Sequence, residues 1–66
     1  MTNKYKLRIY KLSGPNKGDL DHEEFFSARE SMNNRYTELS KHIKKYALRP
    51  TAWEYIEEDW ERLAGY

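Results

Sequence analysis

The sequence predicts a small α+β domain of ββαββ order, with antiparallel strands and one helix packed on one face of the sheet. Three observations predict it. Residues 4–12, "KYKLRIYKL", alternate apolar and polar side chains with a period of two. Residues 28–46 carry an apolar stripe at the helical period instead. Residues 51–66, "TAWEYIEEDWERLAGY", fit a Trp-bearing terminal hairpin, with a second helix (ββαα) as the alternative.

The first strand follows from its alternation. Tyr5, Leu7 and Ile9 point one way and Lys6, Arg8 and Tyr10 the other, as in a half-buried strand. "SGPNKG", residues 13–18, supplies turn chemistry through two Gly, a Pro and an Asn. Residues 20–26 then return as a second strand, which sets the acids of 19–24 beside the bases of 4–11. Opposite charges across a strand pair contribute roughly 0.2–1 kcal/mol each.

The helix is expected over residues 28–45. Ser27-Ala28-Arg29-Glu30 has the form of a capping box, in which the Ser27 hydroxyl accepts from the Glu30 amide. Ala28, Met32, Tyr36, Leu39, Ile43 and Tyr46 follow at spacings of 4, 4, 3, 4 and 3. Glu30 in the first turn and Lys41, Lys44 and Lys45 near the end suit the helix dipole. Pro50 biases Arg49 towards extended geometry, so the helix ends before it.

The closing stretch has two readings. As a helix it offers a second capping box, Thr51 to Glu54, and a stripe of Trp53, Ile56, Trp60 and Leu63. As a hairpin it pairs residues 52–55 with 60–64 around Glu57-Glu58-Asp59. That register sets Ile56 opposite Trp60, Glu54 opposite Arg62 and Trp53 opposite Leu63. Glu54/Glu58 and Glu57/Glu61 are like-charge i,i+4 pairs that weaken the helix. The hairpin turn lacks the usual Gly or Asn. In the hairpin reading, Trp53 and Trp60 finish the core and the acids between them form an exposed rim.

Sixty-six residues make one domain, 1–66, and no cysteine is present to brace it. Ten aromatic rings must supply the burial that so short a chain otherwise lacks. The charged start and the lack of any apolar run near ~20 residues predict a cytoplasmic protein that neither enters nor crosses a membrane. Charge alternates in blocks. Residues 1–18 hold five bases and no acid, 19–30 five acids and one base, 31–49 five bases and one acid, 50–66 five acids and one base. Blocks of opposite sign are expected to pair within the fold.

Signatures of catalysis are scarce. His22 and His42 are the only histidines, and no Gly-rich phosphate loop, G-x-S-x-G or H-E-x-x-H is present. In "DHEE" successive residues point to opposite faces, so the run does not converge on a metal. A domain of this size has little room for a ligand cleft of ~300–1,000 Å³. The expectation is a binding protein with no enzyme activity, no cofactor and no metal. Lys6, Arg8 and Tyr10, basic groups interleaved with a ring, form the candidate face for a nucleic-acid partner. Against that partner stands a pI near 8.0, below the range of dedicated nucleic-acid binders.

"FFSARESM…RYTEL" followed by "PTAWEY…DWERLAGY", roughly residues 25–66, resembles small accessory proteins of bacteriophages and mobile elements. In these a strand pair, a capped helix and a Trp-containing terminal hairpin recur, and the resemblance favours the hairpin. It also implies a protein or nucleoprotein partner among host machines that handle nucleic acid, CRISPR effectors and other defence complexes included. Such machines line their channels with Lys and Arg. An inhibitor of this kind (anti-CRISPR-like) offers carboxylates in place of phosphates. Glu54, Glu57, Glu58, Asp59 and Glu61 are the candidate partner-binding residues.

Overall fold

In the computed structural model, which describes residues 3–66, a four-stranded antiparallel sheet carries a helix on one face. The elements run β1 (Tyr5–Lys11), β2 (Leu20–Phe26), α1 (Arg29–Lys41), α2 (Ile43–Tyr46), β3 (Leu48–Ile56) and β4 (Asp59–Arg62). Strand order is β2-β1-β3-β4, so the first strand lies inside the sheet between its hairpin partner β2 and β3. The ββαββ order holds.

β1 fixes which face is the core. Leu7 and Ile9 are fully buried and pack with Met32 and Leu39 of α1 and with Ala52 of β3. Tyr5, Phe26, Tyr36, Leu48, Leu63 and Tyr66 close around them. Pro50 is buried opposite Ile9 in β3. It is tolerated because β4 stops at Arg62, opposite Trp53, which leaves residues 48–51 as a sheet edge.

The helix departs from expectation at both ends. Ala28, not Ser27, takes the N-cap position, with extended geometry (φ −125°, ψ 139°) and no side-chain cap. β2 stays paired as far as Phe26, opposite Tyr5, and the helix starts later than the capping box requires. At the other end α1 stops at Lys41. The His42 amide bonds the Leu39 carbonyl at 3.2 Å, and its backbone leaves helical geometry (φ −118°, ψ 28°). One more turn, α2, is closed by Ala47 in the left-handed region (φ 53°). The Ala47 carbonyl then accepts the Leu12 amide at 2.9 Å, which delivers Leu48 beside Lys11. Docking β3 on β1 therefore interrupts the single helix predicted over 28–45.

The terminal stretch is a hairpin, and ββαα is excluded. Its register differs by one residue from the expected one. Ile56 faces Asp59, Tyr55 faces Trp60, Glu54 faces Glu61 and Trp53 faces Arg62. The turn is two residues long, with Glu57 at φ 50° and Glu58 at φ 66°. Two successive positive φ angles are the mark of a type I′ turn, whose twist matches the flanking strands. A shift of one residue reverses the face of every β4 side chain. Trp60 consequently sits on the sheet face away from the helix, where Trp53 already stands opposite Lys6 of β1, and neither finishes the core. Leu63 does so instead, its amide bonded to the Ala52 carbonyl at 2.9 Å.

Candidate functional site

Strand pairing assigns each side chain to a face. On the face opposite the helix stand Lys6, Arg8 and Tyr10 of β1, Glu23 and Phe25 of β2, Arg49, Thr51, Trp53 and Tyr55 of β3, and Trp60 and Arg62 of β4. One helix covers one face only, so this surface of rings and cations is left uncovered.

Lys6, Arg8 and Tyr10 share this face as the alternation predicts, but the two cations are engaged. Lys6 is only 8% exposed, with its ammonium 3.0 Å from a Glu23 carboxylate oxygen. The same ammonium lies 4.3 Å from the Trp60 ring centre and 5.9 Å from that of Phe25. Cation–π attraction of this kind is worth about 2 kcal/mol or more where water is excluded. Arg8 shares the carboxylate, its Nε 3.3 Å from Glu23 but too poorly aligned for a hydrogen bond. Its guanidinium lies 5.8 Å from the Tyr10 ring centre and 5.7 Å from that of Trp53. The first two charge blocks thus pair across β1 and β2, as expected.

The rings are held in place. Trp53 Nε1 donates to Thr51 Oγ1 at 2.9 Å, and that hydroxyl donates to the Arg8 carbonyl at 2.9 Å. Trp60 meets Tyr55 edge to face at 5.2 Å and Phe25 at 6.1 Å. Beyond Trp53 lies a shallow pocket of about 380 Å³, lined among others by Tyr10, Lys11, Arg49, Thr51 and Arg62. It is larger than the size of the domain leads one to expect, because it opens on the sheet face and takes nothing from the core.

The five predicted acids gather on the β3–β4 hairpin. Glu54 and Glu61 face each other directly on the helix side of the sheet, and Asp59 faces Ile56 beside them. Glu57 and Glu58 form the exposed tip. Asp59 accepts the Trp60 amide at 2.8 Å. Among the described residues, none of the five takes part in an ion pair. The bases of residues 41–49 do not reach them. Those bases stand at the opposite end of β3, whose nine residues span about 30 Å. Pairing of the last two charge blocks, expected from their signs, is therefore not found.

A second polar cluster was not legible beforehand. Glu24 accepts Arg35 Nε at 2.8 Å and Nη2 at 3.1 Å, which ties β2 to α1. Its Oε2 also lies 2.8 Å from His22 Nε2, while Asp21 lies 2.5 Å from His22 Nδ1. The Arg35 guanidinium holds the Glu24 carboxyl below its ordinary range. Glu24 and then Asp21 raise the His22 imidazolium above its ordinary 6.5. The spacing of Glu24 and His22 on one strand face was the available signal, but their partner on the helix was not deducible. Among the described residues, no three His, Cys, Asp or Glu groups converge as a cation site.

No known family, curated protein or solved structure matches this chain. Among the described residues, no helix is long and apolar enough to cross a membrane.

Proposed function

We propose that this chain is a non-enzymatic binding protein that docks its β3–β4 hairpin on a protein or nucleoprotein complex handling nucleic acid. In the same proposal it is carried by a bacteriophage or mobile element as an inhibitor of a host defence machine. The carrying observation is the turn. Glu57 and Glu58 both occupy left-handed backbone, at φ 50° and 66°. L-residues there cost roughly 1–2 kcal/mol each, and Asn-Gly relieves that cost. Adjacent glutamates also repel, and Glu54 faces Glu61 behind them. Strain kept against a simple remedy marks a position held for something other than stability.

The rest of the hairpin suits such a role. Acids on its tip and one face complement a channel lined with Lys and Arg, which speeds association. Tyr55, 39% exposed, and the half-buried Trp60 on its other face are the ring types that dominate binding hot spots.

Charge reversal tests the reading. Glu57→Lys, Glu58→Lys and Asp59→Lys together leave the domain folded, as circular dichroism reports, and abolish partner capture and inhibition of a defence complex. A folded triple variant with undiminished partner binding rejects the hairpin as the docking element.

A further inference from the structure

We propose that the open sheet face holds a separate site for single-stranded nucleic acid, centred on the pocket between Tyr10, Arg49, Thr51, Trp53 and Arg62. This inference does not depend on the hairpin reading, because different residues carry it.

Strand register builds the site. Tyr10 of β1 stands opposite Arg49 of β3, and Trp53 of β3 stands opposite Arg62 of β4. Arg49, Thr51 and Trp53 follow one another on the same face of β3. Arg49 and Arg62 are therefore separated by four residues' rise, about 13 Å along the strand. Each is exposed, and neither takes part in an ion pair among the described residues. They differ in this from Lys6 and Arg8, which share Glu23. The cations available to a ligand thus lie one strand away from those that the alternation of β1 brings forward.

Three features select the occupant. The Trp53 indole is anchored through Thr51 and presents a ring that stays in place. The Arg8 guanidinium, held by Glu23 at the edge of the pocket, lies 5.7 Å from that ring centre and 5.8 Å from that of Tyr10. Rings and guanidinium planes are what unstacked bases pack against, without regard to sequence. Arg49, Arg62 and Lys11 around the same pocket supply cations for phosphates. A duplex offers no unstacked base. The pocket of about 380 Å³ opens on the surface of the sheet.

Fluorescence anisotropy with a labelled oligothymidylate of about ten nucleotides, in ~50 mM salt, tests the site. Two phosphate contacts on a single strand predict a log–log salt slope of about −1.4. The paired change Arg49→Glu and Arg62→Glu is expected to weaken binding by about tenfold or more, with the fold intact by circular dichroism. Lys44→Glu with Lys45→Glu, an equal change of charge on α2, leaves binding within about twofold. Quenching of tryptophan fluorescence persists in Trp60→Phe, since the stacked ring is Trp53. Absence of binding at this salt, equal loss in the two paired variants, or equal affinity for duplex overturns the proposal. So does an arginine-pair variant that loses a protein partner while the oligonucleotide never binds, which assigns the face to protein recognition.

Discussion

At the scale of the residue, the helix start shows how a good local signal loses to a neighbour. Ser27 has the sequence context of an N-cap, yet β2 pairing holds the chain extended through Phe26. Ala28 inherits the cap position with backbone angles that a capping side chain needs, and has no oxygen to offer. A hydroxyl there accepts one of the helix's orphan amides. Ala28→Ser is expected to stabilise the domain by ~1 kcal/mol. In a chain of this length that raises the melting temperature by roughly 4–8 °C. Ser27→Ala, which removes nothing that caps the helix, leaves melting unchanged in the same calorimetric series.

At the scale of the element, the hairpin carries the conflict between folding and use. Its strands are well chosen, with Trp53, Tyr55, Ile56 and Trp60 all favoured in sheets. Its turn is not. Glu57→Asn with Glu58→Gly gives the type I′ turn its preferred residues and removes two adjacent charges. The double variant is expected to gain at least about 1 kcal/mol, read as a higher denaturation midpoint. It loses affinity for the partner at the same time if the acids at the tip make the contact. A gain in both stability and affinity separates the strain from the function and removes the main support for the docking proposal. This is the trade of stability against activity expected where a strained site is kept.

At the scale of the whole molecule, charge is distributed along β3, whose nine residues span about 30 Å. The acids of the hairpin occupy one end, and Lys41, Lys44, Lys45 and Arg49 gather around α2 and the start of β3 at the other. Between them the His22–Glu24–Arg35 cluster ties sheet to helix and makes stability depend on pH. The raised His22 contributes stability that is fully present below about 6.5 and is lost as pH rises through its folded value. The lowered Glu24 contributes stability present above 4.5 and lost as pH falls through its folded value. The cluster therefore stabilises most between these limits. Melting temperature is expected to fall as pH rises above about 6.5, and to fall less in His22→Gln. An unchanged pH profile in that variant means that another group sets the dependence. His22 is half exposed, so the effect is modest.

Local patterns in the sequence determined the elements. The period of two in β1, the apolar stripe of α1 and the Gly-Pro turn between the first two strands each act through neighbours a few residues away, and the ββα order follows from them, while the closing stretch stayed open between hairpin and helix until a resemblance favoured the hairpin. Like-charge spacing along residues 54–61 weakened the second helix before any fold was known. Tertiary structure alone decided the strand pairing and the ends of the elements. β1 takes β2 on one edge and β3 on the other, and that pairing ends β2 late, breaks the helix at His42 and leaves Ala28 uncapped. The register of β3 and β4 hung on whether the turn holds two residues or three, and its Glu-Glu pair contradicts the local preference that normally reveals a type I′ turn. Because side chains alternate along a strand, that single residue moved Trp60 from the expected core to the open face, over Lys6. The candidate acids were legible as a cluster, since adjacency in sequence keeps them together in any hairpin. The Arg49–Arg62 pocket was not, because its cations come from two strands that only the closed sheet brings side by side.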